Sequence, residues 1–303
     1  MFDEALKSKF KAKFENIIFD EPLKSHVTMR VGGPADGFLA VSEHEIAEAV
    51  EFCKENNVPY FVMGNGSNTI VKDGGYRGLI LCIGRKMNSV TNLGDNTIKV
   101  QSGAKLSAVA ECAAAGGIGG FEFLAGIPGN VGGALVMNAG AYGGEIKDLV
   151  VSVTFIKDSI THTVKGEDLG FGYRKSFFID NPDAIITDAV LKGYSADEKD
   201  IREQMTEFLN KRAASQPLEY PSSGSFFKRP EGYFAGKLIQ DCGLKGYKSG
   251  GAAISEKHAG FVINLGNATC HDIQALMDHV KSCVKEQFGV TMEPEVRFIG
   301  SDK

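Results

Sequence analysis

The chain has 303 residues, of which 43% are hydrophobic and 23% are charged, as in ordinary globular proteins. Its net charge of −5 argues against the broad basic surface that nucleic acids and anionic membranes require. A local basic pocket for one anionic ligand remains compatible with that charge. No apolar run is long enough to span a bilayer, so we expect neither a nucleic-acid partner nor membrane insertion.

The first residues and the cysteines indicate a cytoplasmic protein. Residues 1–21 lack the apolar segment of a signal peptide. The six cysteines are scattered, without a Cys-x-x-Cys pair or a spacing typical of metal sites. We interpret them as reduced thiols and predict no bound metal; disulfides and a zinc site are the less favoured alternatives.

Hydrophobic periodicity predicts a mixture of helices and strands along the first two thirds of the chain. The helix after residue 42 should begin with a capping box, because Ser42 can cap and Glu45 lies three residues on. The hairpin should turn at Gly94-Asp95-Asn96. Predicted helices cover 3–14, the segment after 42 and 106–115; predicted extended segments cover 26–41, 59–63, 79–83, 89–102, 149–156 and 184–193.

The remaining third predicts a second, smaller unit. A charged amphipathic helix over 197–213 forms the bridge to it. Beyond that helix, the pattern predicts helices near 233–242 and over 270–288, with strands at 260–265 and 295–299. We therefore predict an α+β protein with one domain over 1–196 and a second over 197–303.

Two glycine-rich stretches, residues 64–68 (GNGSN) and 126–133 (GIPGNVGG), are candidate anion sites. Each is interpreted as following a strand, and glycine permits the backbone conformations that direct successive N–H groups into one concavity. Either stretch alone is equally well explained as a tight turn. Neither fits the G-x-G-x-x-G fingerprint, so a dinucleotide would have to bind outside the usual NAD fold.

Six motifs together resemble the UDP-N-acetylenolpyruvoylglucosamine reductase family, and they run in order along nearly the whole chain. They are TMRVGGPAD (28–36), MGNGSN (63–68), LAGIPGNVGGALVMNAGAYG (124–143), GYRKS (172–176), SSGSFFKRP (222–230) and EPEVRFIG (293–300). The resemblance implies a FAD-binding domain of the vanillyl-alcohol-oxidase type, built of two α+β subdomains, followed by a smaller α+β substrate domain. It also implies NADPH as electron donor, a UDP-sugar substrate and, we expect, a monomer.

The resemblance assigns the cofactor to the two glycine stretches. The residues expected to bind FAD are Gly64, Asn65, Gly66, Ser67, Asn68, Gly126, Pro128, Gly129, Gly132, Gly133, Ala139 and Gly140. Some relatives of this flavin domain attach the cofactor through a histidine near the phosphate loop. GNGSN contains no histidine, so we expect non-covalent FAD. Residues 172–176 lead almost directly to the strand at 184–193, which indicates the compact branch without an inserted tyrosine loop.

Three residues match the family's catalytic positions: Arg174, Ser225 and Glu295. In the implied reaction, hydride reaches C3 of an enolpyruvyl group and leaves an enolate. Ser225 would protonate C2, Arg174 would pair with the substrate carboxylate, and Glu295 would hydrogen-bond it as the neutral acid. Without the resemblance, each residue has a structural interpretation. Arg174 could pair with Asp168 or Asp180 at the surface, Ser225 could be an ordinary loop serine, and Glu295 could lie on the exposed face of the last strand.

The segment 225–258 is rich in cations although the chain is acidic. The residues expected to contact the substrate are Lys228, Arg229, Tyr233, Lys237 and Lys245, with Arg229 as the first choice for the diphosphate and Tyr233 for the uracil or sugar. A solvated basic face is the alternative for any single lysine. Two other functions remain open at this stage: a flavoenzyme of the same fold acting on a small alcohol or hydroxy acid, and a non-catalytic nucleotide-sugar binder.

Overall fold

The structure, a computed structural model, describes residues 1–302. Its helices are α1 (Glu4–Lys13), α2 (Glu43–Glu55), α3 (Leu106–Ala115), α4 (Val131–Met137), α5 (Phe177–Asp180), α6 (Glu198–Ser215), α7 (Ala235–Asp241) and α8 (Cys270–Phe288). Up to residue 196 its strands are β1 (Ile18–Pro22), β2 (Pro34–Ala40), β3 (Tyr60–Met63), β4 (Thr69–Val71), β5 (Tyr76–Cys82), β6 (Val90–Gly94) and β7 (Thr97–Gln101), then β8 (Ile118–Gly119), β9 (Gly140–Ala141), β10 (Gly144–Glu145), β11 (Val150–Lys157), β12 (Ile160–Lys165), β13 (Ile185–Lys192) and β14 (Tyr194–Ser195). The remaining strands are β15 (Ser222–Ser225), β16 (Lys248–Ser249), β17 (Ala252–Ile254), β18 (Phe261–Asn264) and β19 (Arg297–Ile299).

The first sheet along the chain has four strands in the order β1-β2-β5-β3. Strands β2, β5 and β3 run parallel, and β1 is antiparallel to β2. Helices α1 and α2 cover it, and Phe10, Ile46 and Leu79 belong to one buried cluster. The predicted capping box begins α2: the backbone N–H of Ser42 donates to Glu45 Oε2 at 2.8 Å.

A five-stranded antiparallel sheet, β12-β11-β13-β7-β6, forms the second layer with α3 and α4. The hairpin between β6 and β7 turns at Asp95 and Asn96, whose φ angles of +48° and +58° suit a two-residue hairpin turn. That turn and the end of α3 at Gly116 confirm two predictions. Strand β12 was not predicted, because its residues are almost all exposed and show no buried alternation.

The smaller unit pairs the antiparallel sheet β15-β18-β17-β16 with α7 and α8. Helix α8 matches its predicted span; it begins at a capping box between Thr269 and Asp272 and ends at Gly289 in the left-handed conformation. Helix α6 packs Ile201 and Met205 into the core of the larger unit. The domain division at 196/197 stays a prediction. No helix within residues 1–302 is both long and apolar enough to cross a membrane.

The end of the chain returns to the larger unit. Strand β19 pairs in parallel with β4, with Arg297 opposite Thr69. Met29 and Ile70 from the first part of the chain share a buried cluster with Phe226 and Val280. This return brings the segment before β19 beside the first glycine stretch, which ends at residue 68.

Three local predictions were wrong in detail. Only Pro34–Ala40 of the extended segment 26–41 is a strand; a 3-10 turn at Leu23–Ser25 and irregular backbone precede it. The second glycine stretch follows a 3-10 turn at Glu122–Leu124, not a strand, and it opens helix α4. The apolar segment 59–63 predicts a buried strand, but β3 is half-buried, with only Met63 fully enclosed, because it forms an edge of the four-stranded sheet.

Candidate active site

Arg174 lies at the tip of a tight turn in the larger unit. Gly172 and Lys175 exchange two backbone hydrogen bonds of 3.0 and 3.1 Å, which leaves Tyr173 and Arg174 as a two-residue loop. Arg174 adopts a left-handed backbone with φ of +52°. A hydrogen bond from Asn138 stabilises the turn: this residue is fully buried, and its Nδ2 donates to the Gly172 carbonyl at 2.9 Å. These hydrogen bonds therefore set the position of the backbone of Arg174.

Glu295 faces Arg174 from the other end of the chain. Nε of Arg174 donates to Oε1 of Glu295 at 2.6 Å, and the two side chains are only 19% and 14% exposed. The backbone N–H of Glu295 donates to the Phe226 carbonyl at 2.9 Å. That bond places Glu295 next to Ser225, whose hydroxyl donates to the Phe227 carbonyl at 3.2 Å. The structure thus joins the side chains of Arg174 and Glu295 and brings the backbone segment of Ser225 beside them.

The first glycine stretch is attached to the same cluster. Nδ2 of Asn68 donates to the Glu295 carbonyl at 3.1 Å, and the Arg297 N–H donates to the Asn68 carbonyl at 2.9 Å. Gly66 is buried at φ +61°, and a Cβ on it would lie 2.2 Å from the His26 carbonyl oxygen. Only glycine fits there, so the loop is held tightly against residues 26–28.

The two glycine stretches lie side by side. Nδ2 of Asn65 donates to the Pro128 carbonyl at 3.4 Å. A Cβ on Gly129 would lie 3.5 Å from Ser67 Oγ, and one on Gly64 would lie 3.5 Å from Asn130 Nδ2. The stretches therefore form two walls of one site, as two halves of a phosphate cradle would.

A cleft of about 920 Å³ extends from these walls. The hydroxyl of Thr28 is buried in its wall without a hydrogen-bond partner among residues 1–302. Four cations also line the cleft: Arg30, Arg85, Lys86 and Lys105. A cleft bordered by Gly64 and Asn65 of the first stretch and Asn130 of the second, with an unsatisfied buried hydroxyl and several cations, fits a dinucleotide cofactor such as FAD.

The other residues predicted to bind the cofactor lie before α4, within it and just after it. The N–H of Gly132 donates to the Ser102 carbonyl at 2.8 Å, and the buried Ser102 hydroxyl has no partner within residues 1–302. A Cβ on Gly133 would meet no described atom within 4 Å, whereas one on Gly126 would lie 3.2 Å from the Arg212 stem. Ala139 and Gly140 follow Asn138, close to the turn that carries Arg174.

The predicted substrate residues occupy different positions. Arg229 lies beside the catalytic cluster, because its N–H donates to the Tyr173 hydroxyl at 3.0 Å. Lys228 pairs with Glu293 at 3.3 Å, and Lys237 pairs with Asp241 on α7. Tyr233 and Lys245 are exposed. Arg229 is thus the one that the structure joins directly to the turn of Arg174.

Four residues near the site were not singled out by sequence: Thr28, Asn138, Tyr173 and Arg212. Arg212 is half-buried beside Gly126, burial lowers the pKa of its guanidinium, and no carboxylate within residues 1–302 forms an ion pair with it. The sequence places Arg212 on a charged amphipathic helix, and that pattern gave no indication that its side chain is half-buried. Thr28, Asn138 and Tyr173 all lie inside the recognised motifs, where they could have been found.

No cluster of three or more histidine, cysteine, aspartate or glutamate side chains among residues 1–302 is arranged to hold a metal ion. The six cysteines are all free in this part of the chain. From Lys175 the backbone runs through α5 directly to β13, without an inserted segment over the cluster. The candidate catalytic cluster consists of Arg174, Ser225 and Glu295, and the bond from Asn68 to the Glu295 carbonyl joins it to the end of the first glycine stretch.

Comparison with known proteins identifies two family models in the chain. The FAD binding domain matches residues 37–161, and the C-terminal domain of UDP-N-acetylenolpyruvoylglucosamine reductase matches residues 216–299. The reductase of this name from Clostridium perfringens (strain 13 / Type A) is 47% identical over 290 residues, which are 95% of this chain and 94% of the relative. That from Clostridium beijerinckii is 44% identical over 302 residues and 98% of each chain.

The crystal structure of UDP-N-acetylenolpyruvylglucosamine reductase from Thermus caldophilus superposes with a TM-score of 0.81 at 35% identity. The match covers 94% of this chain and 98% of that one. These similarities confirm the predicted fold, an α+β FAD-binding domain followed by a smaller α+β domain, and the prediction of an FAD-dependent oxidoreductase. The chain belongs to the UDP-N-acetylenolpyruvoylglucosamine reductase family.

Proposed function

We propose that the enzyme reduces UDP-N-acetylglucosamine enolpyruvate to UDP-N-acetylmuramate, with NADPH as donor and non-covalent FAD as carrier. The observation that carries this proposal is the 2.6 Å contact between Arg174 and Glu295, beside Ser225 and the first glycine stretch. Arg174, Ser225 and Glu295 come from three distant parts of the chain. Family membership supports the same reaction rather than the oxidation of a small alcohol or hydroxy acid.

When bound, FAD supplies the hydride that passes to C3 of the enolpyruvyl group. The residues of the chain manage the charge that develops at C2 and on its carboxylate. Arg174 pairs with that carboxylate, and its positive charge stabilises the enolate as it forms. Ser225 donates its hydroxyl proton to C2, which completes the addition of one hydride and one proton across the double bond.

Glu295 shares Arg174 with the incoming carboxylate. Two ionised carboxylates in contact with one guanidinium repel each other, so we propose that Glu295 takes up a proton when substrate binds. As a neutral acid it donates a hydrogen bond to the substrate carboxylate. Its bond to the backbone of Phe226 and the bond from Asn68 to its carbonyl keep it in place during this change.

The remaining predicted contacts belong to the same proposal. The UDP diphosphate lies along Arg229, with Lys228, Lys237 and Lys245 as further cations, and Tyr233 stacks on the uracil or the sugar. The residues of the glycine stretches hold FAD. We further propose that the enzyme acts as a monomer. The product is a peptidoglycan precursor, so we propose a cytoplasmic role in cell-wall synthesis, cell shape and division.

An anaerobic half-reaction experiment tests the proposal. The purified holoenzyme is reduced with NADPH, and the enolpyruvyl nucleotide-sugar is then added without oxygen. We expect bleaching of the flavin absorbance by NADPH and its return on addition of the substrate. A flavin that stays bleached with this substrate, yet regains its colour rapidly in air, would contradict the proposed substrate and indicate an oxidase.

A further inference from the structure

Tyr173 connects the two units at the site. Its ring lies against Arg174, with the guanidinium carbon 5.1 Å from the ring centroid. Its hydroxyl accepts the 3.0 Å hydrogen bond from the backbone N–H of Arg229 in the smaller unit. One side chain therefore touches the residue proposed for the substrate carboxylate and the residue proposed for the diphosphate.

Core packing does not account for this placement. Tyr173 is 51% exposed, and it belongs to none of the buried clusters. The two-residue loop between Gly172 and Lys175 projects it away from the larger unit, toward the segment that contains Arg229. An exposed aromatic ring on a rigid turn, with both its face and its hydroxyl engaged, is suited to holding neighbours in position.

We propose that Tyr173 is a positioning residue that fixes the separation between Arg174 and Arg229. This inference rests on the proposed function. The carboxylate end and the diphosphate end of the substrate then meet two residues whose backbones are already held at one spacing, which lowers the cost of ordering the site on binding.

The test compares two variants of the holoenzyme in the anaerobic reoxidation of reduced flavin. Tyr173→Phe keeps the ring and removes the bond to the Arg229 N–H. We expect its KM for the nucleotide-sugar to rise about threefold to tenfold with kcat within about twofold, as for the loss of one neutral hydrogen bond. Tyr173→Leu also removes the ring beside Arg174, and we expect its kcat to fall about tenfold or more.

A shortened substrate separates positioning from a general structural effect. The enolpyruvyl ether of N-acetylglucosamine 1-phosphate lacks the uridine and the second phosphate, so it loses most contacts near Arg229. We expect Tyr173→Phe to resemble wild type with this compound, whereas a structural defect would impair turnover of both substrates equally. Tyr194→Phe, an exposed tyrosine on β14, is the matched control and should change neither KM.

The outcomes distinguish this inference from the proposed function. Wild-type enzyme that fails to reoxidise with the full substrate would contradict the function itself. Active wild type together with an unchanged KM in Tyr173→Phe, or an equal loss with both substrates, would overturn the positioning role alone. Bound FAD and the thermal midpoint are measured for each variant, and the Phe variant decides the question if Tyr173→Leu does not fold.

Discussion

Arg174 Nε lies 2.6 Å from Glu295 Oε1, although 121 residues separate them along the chain. The contact depends on two backbone features. The left-handed turn presents Arg174, and the pairing of β19 with β4 returns the segment of Glu295 to the larger unit. Nε is occupied by Glu295, so the terminal nitrogens of the guanidinium are the donors left for a substrate carboxylate.

The first prediction concerns the charge of Arg174. Arg174→Ala removes the cation beside the developing enolate, and we expect the substrate half-reaction to slow by about 10²–10³ or more. Arg174→Lys should recover only part of this loss, because an ammonium cannot bond Glu295 and the substrate in the planar geometry of a guanidinium. Stopped-flow reoxidation of reduced flavin measures both variants. Turnover within a few-fold of wild type in Arg174→Ala would exclude this role.

The second prediction concerns the proton donor. Ser225→Ala should slow flavin reoxidation by substrate by about 10²–10⁴, the range for loss of a general acid. Flavin reduction by NADPH should barely change, because protonation of C2 belongs to the other half-reaction. Ser222→Ala, at the start of the same strand, is the control and should leave both rates near wild type. An equal fall in both half-reactions of Ser225→Ala would indicate a positional role.

Local chemistry explains which parts of the fold the sequence could predict. The capping box at Ser42 and Glu45, the turn at Asp95-Asn96 and the span of α8 depend on neighbours in sequence, and all three were predicted. Strand β12 was missed because an exposed edge strand needs no apolar alternation. The pairing of β19 with β4 joins residues more than two hundred positions apart, which no local pattern encodes.

In the candidate site, too, sequence predicted the identity of residues but not the long-range contacts between them. Arg174, Ser225 and Glu295 were assigned by resemblance, and their proximity depends on long-range backbone bonds that only the fold provides. Arg212 could not be predicted, since its burial beside Gly126 is a tertiary property of an otherwise charged helix. Tyr173 lay within a recognised motif, but its bond to Arg229 crosses between the units.

The third prediction links the capping box to pH. Burial acts to raise the pKa of Glu45, but hydrogen bonds from Ser42 and the nearby Lys86 outweigh it and lower that pKa from 4.5 to about 2. A lowered carboxyl pKa stabilises the fold above pH 4.5, and this contribution is lost as the pH falls from about 4.5 to about 2. Ser42→Ala should therefore cost about 0.5–2 kcal/mol of unfolding free energy near neutral pH.

Urea unfolding at several pH values between about 3 and 7 measures this dependence, and the gap between wild type and Ser42→Ala should narrow toward the acid end. Ser215→Ala, at the exposed end of α6, removes a serine that only bonds a carbonyl of its own helix. We expect a small loss without pH dependence in that control. A gap for Ser42→Ala that stays constant across the range would contradict the role of Glu45.

The fourth prediction is that the flavin dissociates. A covalent bond to the flavin would need a nucleophilic side chain, and the histidine and cysteine that line the cleft are His26 and Cys82. Nε2 of His26 is held by Glu21 at 2.7 Å with its ring 4.2 Å from that of Phe38, and burial raises the pKa of the Cys82 thiol. Acid precipitation should leave all the yellow colour in the supernatant. Colour retained in the pellet of wild type but not of His26→Ala would establish a covalent bond.

The fifth prediction tests how tightly the first glycine stretch must pack. Gly66 and Gly170 have similar φ angles of +61° and +57°, but a Cβ on Gly66 would lie 2.2 Å from the His26 carbonyl oxygen, whereas one on Gly170 meets no described atom within 4 Å. Gly170→Ala should therefore cost only the left-handed strain, about 1–2 kcal/mol. Gly66→Ala carries the same strain and must also displace the loop from residues 26–28.

We expect Gly66→Ala to lower the thermal midpoint more than Gly170→Ala and to weaken FAD binding, measured by flavin fluorescence during titration of the apoprotein. Gly170→Ala should bind FAD like wild type, because that glycine is an exposed cap of a 3-10 turn and is not among the residues that line the cleft. Both substitutions introduce left-handed backbone strain, but only the alanine at position 66 collides with a neighbour, the His26 carbonyl oxygen. The comparison therefore separates the effect of close packing from that of backbone strain. Equal effects of the two substitutions on FAD affinity would show that contact with His26 does not position the loop.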